Sequence, residues 1–126
     1  PLAWSSRCFT ARHYNLPKDN CEFRCLQHPD GMELRSRESQ ELFRINGIST
    51  LSGSRYDLMR ELPDMEHMGV STVRLSPEHL GMEEVVRRFD QIRRGELPAT
   101  DPLQLVEAPP CNGYWYGKPG MDLVPT

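Results

Sequence analysis

Three of the four cysteines in this 126-residue chain lie close together in sequence, at Cys8, Cys21 and Cys25. Four cysteines are too few for the disulfide framework of a small secreted protein, and the sequence has no secretory signal. We therefore expect reduced thiols, a cytoplasmic location and a metal-binding role for the segment that carries them. Thiolates are soft ligands that suit zinc or an iron–sulfur cluster.

The C-x12-C-x3-C spacing sets a condition on any shared metal. In an extended strand, the four-residue step from Cys21 to Cys25 would separate the two sulfur atoms by roughly 13 Å. A common metal site therefore requires the backbone to turn at residues 22–24. An iron–sulfur cluster would gain from the cations nearby, which offset the charge of thiolate ligands. These cations are Arg7, Arg12, Lys18 and Arg24.

Zinc is the alternative metal, with His28 completing a Cys3His site beside the three cysteines. The C-x2-C knuckles that are common in structural zinc sites are missing from this segment. The C-x3-C-x2-C motif of radical S-adenosylmethionine enzymes is also missing, because His28 stands at its last position. A third reading, with no metal at all, stays open at this stage.

Composition excludes several classes of function. Charged residues make up 26% of the chain and the formal net charge is −3, so no general basic field would attract nucleic acid or an anionic membrane. Apolar runs are only a few residues long, which is too short for a transmembrane helix.

Alternating strand and helix patterns predict an α/β fold. Residues 2–6, 42–51 and 70–75 read as strands, the second with an Asn-Gly turn inside it, and residues 57–69 and 82–94 have helical apolar spacing. This order favours parallel βα units, as in the C-terminal part of a TIM-like (β/α) barrel. We assign residues 1–95 to the C-terminal half of such a barrel, with a cluster loop at 8–28. Residues 96–126 are assigned to an extended Pro-rich tail that packs on the barrel.

The chain starts with Pro1 rather than methionine, and two or three βα units cannot close a barrel. We therefore expect it to be the C-terminal part of a larger protein. A parallel arrangement would gather the carboxyl ends of the strands, at residues 7–8, 52–55 and 76–79, on one face with Cys8. The small hairpin expected at 25–35 would turn at residues 29–31.

The stretches "CFTARHYNLPKDNCEFRC", "FRINGISTLSGSRYDL" and "MGVSTVRLSP" resemble the UbiV family, which belongs to the collagenase-like peptidase superfamily and acts in oxygen-independent ubiquinone synthesis. The resemblance runs from about residue 2 to residue 116 and covers only the C-terminal part of a typical family member. It implies a [4Fe–4S] cluster on Cys8, Cys21 and Cys25, with the fourth cysteine upstream. Cys111 is a substitute that the motif does not assign, and we expect it to be a buried packing residue.

The resemblance also implies partners. These are a UbiU-like homologue in a heterodimer and a UbiT-like lipid carrier, acting on an aromatic quinone precursor with a prephenate-like hydroxyl donor. The chain would then be one subunit of an O2-independent ring hydroxylase rather than a complete enzyme. Peptidase activity is not expected, because the sequence lacks an HExxH or Ser/His/Asp arrangement. The alternatives are a zinc-binding structural or interaction module, and a peptidase-like or RNA-modifying relative in the same superfamily.

Overall fold

The structure is a computed structural model that describes residues 1–99 and 108–125. It has two compact units, Pro1–Arg55 and Tyr56–Thr126. The architecture is mixed α/β, which confirms the predicted class at that level. Among the described residues the strands form one four-stranded antiparallel sheet and one short two-stranded parallel pair, and no barrel. No helix of the described ranges is long and apolar enough to cross a bilayer.

The first unit is built on the four-stranded sheet, whose strand order is β1-β4-β3-β2. Every neighbouring pair in this sheet is antiparallel. The register between β3 and β4 places Ile45 opposite Thr50. The strands are β1 (Ala3–Trp4), β2 (Met32–Arg35), β3 (Glu41–Asn46) and β4 (Ser49–Ser52).

The β3–β4 hairpin turns at the Asn-Gly dipeptide that the sequence indicated. Asn46 pairs with Ser49, so Gly47 and Ile48 are the two loop residues. Gly47 has a φ of +61°, the conformation that glycine favours at the first loop position of a type II′ turn. The predicted pair of strands around this turn is confirmed.

A short helix, α1 (Phe9–His13), is fixed to this hairpin. The Phe9 N–H donates to the carbonyl oxygen of Gly47 at 2.9 Å, and the Gly47 N–H donates to Oγ1 of the buried Thr10 at 3.0 Å. Two 3-10 helices follow, at Lys18–Asn20 and Arg24–Gln27. Cys8 therefore begins its helix beside the hairpin turn.

Two expectations for this unit were wrong. The hairpin predicted at residues 25–35 does not form, because Arg24–Gln27 is a 3-10 helix and β2 pairs with β3 instead. The carboxyl ends of β1 and β4 also do not share a face, because antiparallel strands end at opposite edges of a sheet. Residues 7–8 and residues 52–55 are thus not gathered at one strand end.

The second unit packs α2 (Leu62–His67) against α3 (Met82–Arg93). Met59, Leu62 and Ile92 form its buried core, and Met65, Phe89 and Leu97 pack around them. The predicted stripe of α3 is confirmed in its register, with Phe89 and Ile92 facing this core. The chain also has a short pair of β5 (Arg55–Tyr56) with β6 (Pro110–Cys111), and the second unit has a 3-10 helix at Gly113–Tyr116.

Residues 70–75, predicted as a strand, are not one. The Val70 N–H donates to the carbonyl oxygen of Met65 at 2.9 Å and so completes the end of α2. Val70 and Val73 are exposed. Strand propensity reflects packing and pairing with neighbouring strands, and this segment has no neighbouring strand among the described residues.

The first helix of the unit starts later than predicted, at Leu62 rather than near residue 57. Asp57 instead accepts a hydrogen bond from the Met59 N–H at 3.0 Å, which holds a turn ahead of the helix. Pro63 lies in the first turn and Gly69 follows the helix with a φ of +87°, as predicted. Met68, whose spacing continues the apolar residues of the helix, is 63% exposed.

The described part of the tail is held by Asn112. Its side-chain amide donates to the carbonyl oxygen of Val124 at 3.1 Å, and its Oδ1 accepts from the Val124 N–H at 2.7 Å. The aromatic segment at residues 111–116 therefore forms a folded turn within the tail that was expected to be extended. The predicted tail includes residues 100–107 and 126, which lie outside the described residues.

Candidate metal centre

Cys8 is the N-cap of α1. Its backbone is extended, and its Sγ accepts a hydrogen bond from the Ala11 N–H at 3.4 Å. Serine, threonine, aspartate and asparagine are the strong capping residues, whereas a thiol sulfur is only a weak acceptor. Because capping alone does not favour a cysteine, the half-buried Cys8 is better explained by the chemistry of its sulfur.

Cys21 and Cys25 flank the turn that a shared metal requires. Glu22 and Phe23 have φ values of 55° and 49°, and the Arg24 N–H closes the turn onto the carbonyl oxygen of Cys21 at 3.3 Å. The turn that a shared metal would require at residues 22–24 is therefore present. Left-handed backbone costs a residue other than glycine about 1–2 kcal/mol, and strain of this kind is concentrated at functional sites.

This turn also presents backbone donors. Cys21 is right-handed at φ −80° and ψ −5°, and left-handed residues follow it, which is the backbone pattern of an anion-binding nest. No backbone hydrogen bond within residues 1–99 and 108–125 uses the N–H groups of Glu22 and Phe23. Nests of this type hold phosphates and iron–sulfur clusters.

The loop is closed by Tyr14 and His28. The Tyr14 hydroxyl and Nε2 of His28 are hydrogen bonded at 2.6 Å, and the two rings stack with their centroids 6.0 Å apart. The Arg24 guanidinium lies 5.5 Å from the centroid of the Tyr14 ring, within cation–π range. α1 therefore packs against the 3-10 helix that contains Cys25.

The charges around the cysteines differ from the sequence-based expectation in one respect. Arg24 is engaged by Glu22, with 2.7 Å between guanidinium and carboxylate, so its charge is largely neutralised. Arg7, Arg12 and Lys18 instead line a cleft together with Cys8. Three of the four expected cations, Arg7, Arg12 and Lys18, therefore lie in the same cleft as Cys8.

The structure does not assemble the predicted ligands into a coordination sphere. Within the described ranges, no three His, Cys, Asp or Glu side chains are close enough together to hold a metal ion. All four cysteines are free thiols, and His28, the fourth ligand of the zinc alternative, has its Nε2 bonded to Tyr14. The donor set nevertheless fits a cysteine-ligated cluster in its chemistry, since three half-buried reduced thiols accompany a turn with unused N–H groups.

Cys111 belongs to the second unit, where it is buried. Burial, with Asp57 as a smaller cause, raises the pKa of the Cys111 thiol. A raised pKa disfavours the thiolate form that a metal needs. These observations agree with the expected packing role of Cys111.

Ser52, His67 and His79 lie outside the cysteine-bearing loop. The Ser52 hydroxyl accepts from the Ser54 N–H at 3.1 Å, which is a local turn contact. His67 is exposed on α2. His79 lies in an irregular segment, and since residues 70–75 are not a strand, it does not occupy a strand end.

Sequence reasoning missed a buried carboxylate at Glu61. This residue is 2% exposed, its Oε1 accepts from the Tyr116 hydroxyl at 2.8 Å, and its Oε2 has no hydrogen-bond partner within the described part of the chain. A glutamate two residues before a helical proline is typical of a solvated helix start. No pattern in the sequence therefore indicated that Glu61 is buried.

Comparison with known protein families and with solved structures found no match to this chain.

Proposed function

We propose that this chain is a [4Fe–4S] cluster-binding protein of the UbiV type. Cys8, Cys21 and Cys25 would supply three of the cluster's ligands. The observation that carries the proposal is the turn between Cys21 and Cys25, which is left-handed at two residues and leaves the N–H groups of those two residues, Glu22 and Phe23, without a backbone partner among the described residues. Hydrogen bonds from such groups to cluster sulfurs help to set its reduction potential.

The rest of the loop supports the proposal by orienting the ligands. The Tyr14–His28 hydrogen bond holds the Cys25 helix against α1, and the N-cap position holds Cys8 at the start of α1. Arg7, Arg12 and Lys18 line one cleft with Cys8, where their positive charge would offset the negative charge of a cysteine-ligated cluster. A bound cluster would supply one-electron redox chemistry.

On this proposal the chain is the C-terminal part of a TIM-like barrel protein, and other polypeptide would supply the parallel strands of the barrel, because the four-stranded sheet of the first unit is antiparallel. The chain would act as one subunit, with a UbiU-like homologue, in hydroxylating the aromatic ring of a quinone precursor without dioxygen. A prephenate-like molecule would donate the hydroxyl group and a UbiT-like protein would carry the lipid. Peptidase activity is not part of this function.

The cluster is tested by reconstituting the full chain with iron and sulfide in the absence of oxygen. A small thiol in the buffer can complete the coordination that three cysteines leave open. We expect a brown protein with about four irons and four sulfides per chain. Cys21→Ala and Cys25→Ala should each abolish the colour and the bound iron.

Cys111→Ala is the matched control, because Cys111 is buried in the other unit and should not affect iron binding. A colourless protein with one zinc per chain would contradict the cluster and support the zinc alternative. The ubiquinone role is tested separately in the producing organism. Cys21→Ala should stop ubiquinone formation only when oxygen is absent.

A further inference from the structure

A second feature lies beside Cys8. Ser6, Arg7, Cys8, Arg12, Asn15 and Lys18 line a surface cleft of about 480 Å³. This volume lies within the range of small-molecule sites, about 300–1,000 Å³. The cleft belongs wholly to the first unit.

The charge of this cleft is opposite to that of the chain. The chain has a net charge of −3, yet the cleft has three cationic residues and no acidic residue in its lining. Arg7, Arg12 and Lys18 make no salt bridge with any residue among 1–99 and 108–125. Elsewhere in the chain, Arg35, Arg44 and the arginines of α3 are paired with carboxylates.

The backbone fixes the walls of the cleft. The Asn15 N–H donates to the carbonyl oxygen of Arg12 at 3.0 Å, and the Leu16 N–H donates to that of Ala11 at 2.9 Å. This left-handed turn at Asn15, followed by Pro17, brings Lys18 back to the cleft that Arg12 lines. Because Thr10 and Ala11 are buried, α1 cannot rotate freely, and its Arg12 keeps its side of the cleft.

We propose that this cleft binds a small multivalent anion, one that bears a phosphate or two carboxylates. Guanidinium groups recognise both kinds of oxyanion through charge-assisted hydrogen bonds, and the Asn15 amide and Ser6 hydroxyl add neutral donors. The site needs no cluster, so it goes beyond the function proposed above. Its position at Cys8 would place a bound anion against that thiol.

The test uses the full chain without metal. Inorganic phosphate and malonate are titrated in separate arms at constant ionic strength, with chloride as the reference anion, and binding is measured by calorimetry and by NMR. We expect saturable binding of at least one of the two probes below about 10 mM. The better of the two identifies the anion class. Residues 7–18 should carry the shifted NMR signals.

Arg12→Gln and Lys18→Gln should each weaken binding about tenfold, since each removes one charge-assisted contact. Arg37→Gln is the control, because Arg37 has the same charge and exposure but lies outside the cleft. Bound anion should also slow alkylation of Cys8 by iodoacetamide severalfold. Circular dichroism of each variant checks that it is folded.

Absence of saturation with both probes would overturn the proposal. Equal weakening by Arg37→Gln and Arg12→Gln would overturn it too, since it would show non-specific attraction of anions to positive charge. Because these measurements use the metal-free chain, they succeed or fail independently of the cluster.

Discussion

The Tyr14 hydroxyl lies 2.6 Å from Nε2 of His28, and this hydrogen bond joins the two ends of the loop that carries Cys21 and Cys25. The rings also stack, so the contact has a polar and an apolar component. Because Tyr14 ends α1 and His28 ends the second 3-10 helix, the pair determines how close the cysteine-bearing segments can lie.

Tyr14→Phe should loosen this loop without removing the stack. The lost hydrogen bond contributes about 1 kcal/mol, and local opening should become about fivefold more frequent. We expect alkylation of Cys25 in the native, metal-free chain to accelerate by about that factor, measured by mass spectrometry. Tyr114→Phe, at a residue that is 75% exposed, should leave the rate unchanged. Equal rates at Cys25 in wild type and Tyr14→Phe would contradict this account.

Phe23 should be a site where glycine stabilises the protein. Its side chain is exposed and its φ is 49°, so Phe23→Gly should raise the free energy of unfolding by roughly 0.5–1 kcal/mol. Phe23→Val should lower it by about 1 kcal/mol, because β-branched residues tolerate left-handed backbone poorly. Urea denaturation measures both changes.

Leu26→Gly is the matched control for Phe23→Gly. Leu26 is equally exposed, but it lies within the 3-10 helix Arg24–Gln27, where glycine should cost roughly 0.5–1 kcal/mol. The two glycine substitutions are thus expected to have opposite signs. Destabilisation by Phe23→Gly would show that the Phe23 side chain contributes packing that outweighs the backbone strain.

Local signals in the sequence predicted the β3–β4 hairpin and the helix α3. Each depends on residues near one another in sequence, such as Gly47 in its turn or the spacing of Phe89 and Ile92. The errors concern partners distant in sequence. Residues 70–75 have strand propensity but no strand to pair with, and β2 pairs with β3 rather than with the segment before it.

In the candidate site, too, local features could be foreseen from the sequence and contacts between side chains could not. Cysteine spacing showed that a shared metal would need a turn at residues 22–24, whereas the Tyr14–His28 bond and the pairing of Arg24 with Glu22 depend on side-chain placement. The burial of Glu61 arises from a residue 55 positions away, Tyr116, and no local pattern encodes that contact.

Tyr116→Phe should destabilise the second unit. The substitution removes the only hydrogen-bond partner that the described residues provide to the buried Glu61 carboxylate. We expect the Tm to fall by roughly 3–6 °C for a chain of this size, measured by calorimetry. Tyr114→Phe is the control, because Tyr114 is exposed and lies two residues away in the same 3-10 helix. An equal Tm for the two variants would contradict a structural role for the Glu61–Tyr116 bond.

Stability should fall at alkaline pH, and Tyr116 should account for part of the fall. The hydrogen bond to Glu61 raises the pKa of Tyr116 above its usual 10.0, and burial raises the pKa of Tyr56 and of Cys111. As pH rises, each of these groups loses its proton in the unfolded chain before it does so in the folded chain. Because the folded state then binds more protons than the unfolded state, the free energy of unfolding declines with rising pH. The contribution is complete below the ordinary pKa values, which are 9.0 for Cys111 and 10.0 for the tyrosines, and is lost progressively above them.

This pH dependence is measured as the urea midpoint of wild type and Tyr116→Phe between about pH 8 and pH 11. Tyr116→Phe should have a lower urea midpoint than wild type at pH 8. Its midpoint should fall less between pH 8 and pH 11, because phenylalanine has no proton to release. Tyr114→Phe should run parallel to wild type through the same range. A Tyr116→Phe curve that also runs parallel to wild type would show that Tyr116 titrates alike in the folded and unfolded chains, and the bond to Glu61 would then have no influence on its proton.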